Sequence, residues 1–221
     1  MNKRIDILGR TIAPATQAWG LFLLLHLVGV AGLSSPGWRP LFLLLTPWQL
    51  ALSGGLLIWS HGKWQQRELA LAGFVIAGGI AFEVVGVKTG LIFGEYGYSD
   101  ILGLKVLGVP LVIGLNWLVL FYCTGTLSRK LLDNRWLAAV VAATFMTLLD
   151  VIIEPVAIGL NWWHWGSVAP PLQNFIGWWL ISLLFHSLAA GLRFPFRAPA
   201  ALPLLASQVL FFNLMNLFLS T

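Results

Sequence analysis

Thr147-Leu-Leu-Asp-Val-Ile-Ile-Glu-Pro-Val-Ala-Ile-Gly-Leu-Asn-Trp-Trp-His-Trp165 is the stretch that decides how this chain is read. It begins in an apolar run, sets Asp150 and Glu154 four residues apart, and meets Pro155, where the sequence predicts that the helix breaks. Residues i and i+4 share a helix face, so both carboxylates look the same way near the end of one membrane helix. An ionisable side chain within a membrane span is costly and is by default a functional-site hypothesis. Glu83, in another apolar segment, is a third candidate.

Working outward, the same apolar character covers the whole chain. Of the 221 residues 58% are hydrophobic and only 10% charged, and the mean hydropathy is +0.85. Ordinary soluble domains carry far more charge. Apolar runs near the roughly 20-residue length that crosses a bilayer recur at 14–33, 40–60, 69–87, 106–127, 136–154, 172–192 and 200–219. The reading is an all-α, polytopic integral membrane helix bundle of about seven transmembrane helices, one domain over 1–221. The first run lacks a small-residue cleavage site and is expected to stay as a span rather than leave as a signal peptide. A single Cys123 excludes a disulfide framework and a Cys-rich metal site. The net charge of +5 does not point to nucleic acid, because the basic residues lie at segment ends.

Those basic residues sort by side. With alternating spans, the N-terminal tail and the even-numbered links carry Lys3, Arg4, Arg10, Lys63, Arg67, Arg129, Lys130, Arg135, Arg193 and Arg197. The other side carries Arg39, Lys88 and Lys105, so the division is 10 against 3 of the 13 Lys and Arg. The positive-inside rule puts the N-terminus in the cytoplasm and, with an odd number of spans, the C-terminus outside. Glu83, the Tyr-rich link at 93–100, Asp150, Glu154 and the Trp-rich link then fall on the outer side. The cytoplasmic face is expected to hold charge but no comparable cluster.

Two carboxylates one helical turn apart repel when both are ionised, so one is expected to hold a proton. A protonated acid beside an ionised one supplies a general acid and a general base to one small site. The plainer reading makes Glu154 an interfacial polar residue and has Asp150 bonding to a neighbouring helix. Trp162, Trp163 and Trp165, with Trp178 and Trp179 just beyond, read either as an interfacial belt or as aromatic faces that stabilise positive charge. His26 and His186 lie inside spans without acids at metal-ligand spacing and are expected to bond between helices. Lys88 either neutralises Glu83 or marks a helix end. No phosphate loop, dinucleotide fingerprint or Asp-rich diphosphate motif is present, which disfavours diphosphate substrates and soluble cofactors.

The run Glu83-Val-Val-Gly-Val-Lys-Thr-Gly-Leu-Ile-Phe-Gly-Glu-Tyr-Gly-Tyr98 resembles a stretch of the carotenoid hydratase family, which includes bacterial carotenoid 1,2-hydratases and haloarchaeal bisanhydrobacterioruberin hydratases. Leu107-Gly-Val-Pro-Leu with Asn116-Trp117 resembles its next block. Asp150 to Pro155, Trp162 to Trp165 and Pro171-Leu-Gln-Asn-Phe-Ile-Gly-Trp178 resemble its last. The likeness covers about residues 80–180. It departs at Glu154, where the family pattern has Asp before the Pro.

The resemblance implies addition of water to the terminal 1,2 double bond of an acyclic ψ-end group, as in lycopene or γ-carotene, without metal, flavin or nicotinamide. Such chemistry needs an acid to protonate the alkene, a pocket that tolerates a tertiary carbocation, and a base for the attacking water. The substrate would arrive from the lipid and the water from the aqueous side. Asp150 is expected as the deeper general acid, with Glu154 or Glu83, closer to water, as the base; Glu83 as acid is the other order. Tyr96, Tyr98, Trp162, Trp165 and Trp178 would shape the pocket, and Asn174 would hold a water. The competing readings are a carotenoid end-group cyclase or isomerase, and a small proton-coupled transporter.

Overall fold

The computed structural model describes residues 17–219 with their side chains and the backbone alone of 5–7, 10–12 and 14–16. Lys3 and Arg4 of the charge count lie outside the described residues, as does the Arg10 side chain. Seven helices among the described residues are long and apolar enough to cross a membrane. They are α1 (Pro14–Ser34), α2 (Arg39–Ser60), α3 (Gln66–Thr89), α4 (Leu111–Leu131), α5 (Arg135–Gly159), α6 (Leu172–Leu192) and α7 (Ala201–Leu219). The chain is a polytopic helical integral membrane protein. Three short antiparallel pairs accompany the helices: β1 (Ile5–Ile7) with β2 (Arg10–Ile12), β3 (Tyr96–Tyr98) with β6 (Trp163–Trp165), and β4 (Lys105–Val106) with β5 (Val109–Pro110).

Side-chain pattern sets where each helix sits. On α2, Leu41, Leu44, Trp48, Leu52 and Trp59 are all exposed. Their three- to four-residue recurrence draws one stripe along the helix, the apolar face that lipid covers. On α4 every residue from 117 to 126 is buried. A helix apolar all round is a core helix, and α4 packs against α2, α3, α5, α6 and α7.

Two expectations about helix ends are corrected. α5 does not break at Pro155 but runs on through it to Gly159. Proline removes one backbone donor, and in a membrane bundle neighbouring helices supply partners at such places. The carbonyl that loses its usual N–H partner is that of Val151, and at the next residue Asn216 of α7 donates Nδ2 to the Ile152 carbonyl at 2.8 Å. The fourth span starts at Leu111, later than its apolar run, because residues 105–110 form the β4–β5 hairpin. Its turn is made by Leu107 and Gly108, both at positive φ (51° and 94°), the backbone that two-residue hairpins require.

The β3–β6 pair clips the α3–α4 link to the α5–α6 link, in the register Tyr96 opposite Trp165 and Tyr98 opposite Trp163. Lys105 braces the same link through Nζ, donating to the Tyr98 carbonyl and to Asp100, each at 2.7 Å. The start of α6 closes against this clip at Gly177. A Cβ there would stand 2.8 Å from the Ile92 carbonyl oxygen and 3.0 Å from the Phe93 ring, and backbone cannot yield as a flexible side chain does. Gly177→Ala is therefore expected to destabilise by roughly 1–3 kcal/mol, read as a lower unfolding midpoint of the detergent-solubilised protein; an unchanged midpoint would refute the close approach.

The opposite end of the bundle, expected to hold charge but no comparable cluster, has a buried polar cluster of its own. Arg67 and Glu68 belong to the first turn of α3, where Gln65 N–H bonds to Glu68 at 2.9 Å in a capping box. Buried Glu68 also accepts from Arg197 at 2.9 Å and meets His61 Nε2 at 3.2 Å. The Tyr122 hydroxyl accepts from the backbone of Arg197 and Ala198, so it donates to His61 Nδ1 at 2.6 Å. His61 then donates from Nε2 as a neutral ring, in keeping with burial, which pushes its pKa down. This network ties the α2–α3 turn to the segment before α7.

Candidate active site

Glu83 sits on the last turns of α3 and is 2% exposed. Three donors converge on it: Tyr96 Oη at 2.5 Å and Tyr98 Oη at 2.8 Å on Oε2, and Trp117 Nε1 at 3.0 Å on Oε1. β3 puts Tyr96 and Tyr98 on one face because strand side chains alternate. Burial first, and the nearby Glu83 charge second, push both phenols well above the ordinary tyrosine range, so they remain donors at any working pH. Trp117 is held by stacking on Trp178, with ring centroids 4.2 Å apart. Lys88 is exposed and makes no bond to Glu83; it marks the end of α3.

Glu154 and Asp150 lie one turn apart on α5 and are 3% and 1% exposed. Trp163 and Trp165, on one face of β6, donate indole N–H groups to Glu154 Oε2 at 3.0 and 2.9 Å. Asn174, in the first turn of α6, donates Nδ2 to Asp150 Oδ2 at 2.8 Å and reaches Glu154 Oε1 at 3.5 Å. Asp150 Oδ1 has no hydrogen-bond partner among the described residues. The three acids thus differ in supply: three donors on Glu83, two close and one long on Glu154, one on Asp150. No Lys or Arg bonds to any of them among the described residues.

Glu83, Asp150 and Glu154 line one cavity of about 30 Å³, with Tyr96, Tyr98, Trp165, Asn174 and Trp178. That is room for water. Eight of the residues singled out from the sequence therefore come together, and Trp162 does not. It is buried against Phe212 and lines a neighbouring cavity. The strand alternation of β6 explains this placement, since Trp163 and Trp165 share a face and Trp162 precedes the strand. Glu83, Asp150 and Glu154 are all buried, at 2%, 1% and 3% exposed, behind the β3–β6 pair. Trp163, Trp117 and Asn116 belong to the site and were not expected there.

The neighbouring cavity is larger, about 280 Å³, and mostly apolar. It lies among α1, α2 and α7, and it shares Ile113, Asn116, Ile153 and Trp163 with the acid cavity. Val28 and Leu45 line it and are about half exposed on the lipid-facing surface. His26 meets Gln49 across α1 and α2 at 3.5 Å along its wall, and Gln49 donates to Ser53 at 3.1 Å. His186, at the other end of the bundle, meets Phe121 O of α4 at 3.1 Å and Thr124 at 3.3 Å, so both histidines bond between helices. The arrangement sets an apolar chamber beside an acid-lined, water-sized pocket, with Ile113, Asn116, Ile153 and Trp163 as their common wall.

Comparison with known proteins bears on that arrangement. Residues 41–220 match the family described as "Carotenoid biosynthesis protein". A bisanhydrobacterioruberin hydratase of Haloarcula japonica is 34% identical over an alignment of 152 residues that covers 62% of this chain and 52% of that protein. The chain spans about half the length of this curated relative. No solved structure matches it.

Proposed function

The chain belongs to the carotenoid biosynthesis protein family, and from that footing we propose that it adds water to the terminal 1,2 double bond of an acyclic ψ-end group. The observation that carries this reading is an open carboxyl oxygen, Asp150 Oδ1, beside Glu154 Oε1, which has only a long 3.5 Å contact from Asn174, in a water-sized pocket next to an apolar chamber. The polyene end enters that chamber from the lipid. Three buried acids with no basic partner cannot all be ionised, and the acid with fewest donors, Asp150, is the one that bears the proton. Its Oδ1–H protonates C2, the alkene electrons form the C–H bond, and the positive charge falls on tertiary C1. Glu83, fixed by three donors as a carboxylate, and the faces of Tyr96 and Trp165 stabilise that charge. Water held near Asn174 forms the C1–O bond and gives its proton to Glu154 Oε1, from which a proton returns to Asp150. No net oxidation or reduction occurs. The charge asymmetry of the sequence supports a site on the outer side of the membrane.

Expressing the chain in cells that accumulate lycopene, or γ-carotene, and weighing the pigments tests the reading. A product heavier by one water is expected. An isomer of unchanged mass would identify end-group cyclisation, and unchanged pigment from both substrates would overturn the proposal. The chamber makes its own prediction. Val28→Trp narrows the lipid-side opening without touching the acids, so KM should rise about tenfold with kcat unchanged, the pattern of lost uniform binding. A fall in kcat at constant KM would place the polyene elsewhere.

A further inference from the structure

A second cavity of about 280 Å³ lies at the end of the bundle away from the acids, between the ends of α4, α5 and α6. Its mouth carries Arg129, Arg135 and Arg193, with Asp133 beside them. Three guanidinium charges against one carboxylate leave the mouth positive, and none of the four makes an ion pair among the described residues. Arg129 is committed to the Leu132 and Asp133 carbonyls at 2.8 and 2.6 Å. Arg135 lies 5.7 Å over the Trp136 ring. The Arg193 side chain has no hydrogen bond among the described residues.

Below the mouth the cavity is walled by small residues, Ala139 and Ala142 of α5 and Ala189 of α6, and reaches His186. From Arg193 to His186 is two helical turns, roughly 10 Å, so the slot runs well into the apolar layer. His186 faces Ser182 O at 2.8 Å and Phe121 O at 3.1 Å, to one of which a neutral ring donates, and the wall around it is alanine. Arg193 also caps α6 at φ 52°, ψ 48°, a left-handed position where glycine fits with least strain.

We propose that this slot seats an anionic phospholipid, its phosphate on Arg193 and Arg135 and one acyl chain along the alanine wall. A free anion would need only the mouth, and a neutral lipid only the wall. The three arginines fall on the side that the charge asymmetry assigns to the cytoplasm, where anionic headgroups are drawn to basic clusters at helix ends. The site is independent of the acid pocket and of the reaction proposed there.

Native mass spectrometry of the full chain, titrated with phosphatidylglycerol, with phosphatidylcholine of the same chains, and with inorganic phosphate, tests this. One phosphatidylglycerol should bind more tightly than phosphatidylcholine. Arg193→Gly should weaken it roughly fivefold, while the lipid-free thermal midpoint holds or rises because the strained backbone is relieved. Ala139→Leu, which fills the slot, should weaken phosphatidylglycerol and leave inorganic phosphate unaffected. Equal binding of the two lipids, or unchanged phosphatidylglycerol binding in Arg193→Gly, overturns the proposal. Phosphate binding that competes with the lipid while Ala139→Leu changes neither reduces the site to a free-anion mouth and also overturns it.

Discussion

Asp150→Asn is expected to abolish water addition while leaving a folded protein. The exchange keeps an acceptor for Asn174, which bonds to Oδ2 at 2.8 Å, but removes the only group on the open Oδ1 side able to deliver a proton. Loss of a positioned general acid slows such steps by roughly 10²–10⁴-fold. Stability should hold, because a neutral amide replaces a protonated, neutral carboxyl of nearly the same shape and keeps the bond from Asn174. The pair of readouts separates chemistry from folding: initial rate of product formation, and the thermal midpoint in detergent. Near-normal rate in Asp150→Asn would sink the assignment of the acid.

Glu83→Gln is the second large effect. Its carboxylate is surrounded by Tyr96, Tyr98 and Trp117 as donors. An amide in its place keeps one oxygen for the Trp117 indole, and the two hydroxyls can turn to accept from the new N–H groups. The fold should therefore survive with a loss of about 1 kcal/mol. What disappears is the negative charge facing the developing carbocation, and a preorganised electrostatic group of this kind is worth roughly 10²–10³-fold in kcat. KM should barely move, since the neutral polyene does not feel the charge before protonation. Tyr96→Phe with Tyr98→Phe keeps the charge and should be milder. A rate in Glu83→Gln equal to that of the unaltered protein would exclude Glu83 from the reaction and return it to a role in joining α3, β3 and α4.

Much of this was legible in the chain itself, and the reasons are physical. Long apolar runs bounded by charge mark membrane helices, and the sixth span, 172–192, coincides with α6. The acids were visible because a carboxylate inside such a run is conspicuous. What escaped is short or distant. The β3–β6 clip is three residues a side, too little for a periodic signal, although Tyr-Gly-Tyr and Trp-His-Trp both alternate as strands do. Alternation along β6 turns Trp163 and Trp165 to Glu154 and leaves Trp162 to the neighbouring cavity. Trp117 lies 34 residues from the acid it serves, and only the packing of α3 on α4 joins them. Pro155 is a helix breaker in water, whereas in this bundle α5 passes through it beside the Asn216 bond to Ile152. The Glu68–His61–Tyr122 network was hidden because its members come from three separate elements.

The most direct test of the account follows the atoms of water. The full chain, in membranes loaded with lycopene, is run in deuterium oxide and, separately, in oxygen-18 water. The account predicts a tertiary alcohol whose oxygen comes from water and which bears one carbon-bound deuterium on the neighbouring carbon, with neither label appearing in Asp150→Asn. An oxygen drawn from air, or a hydroxylated product with no deuterium on carbon, would contradict protonation by Asp150 followed by capture of water.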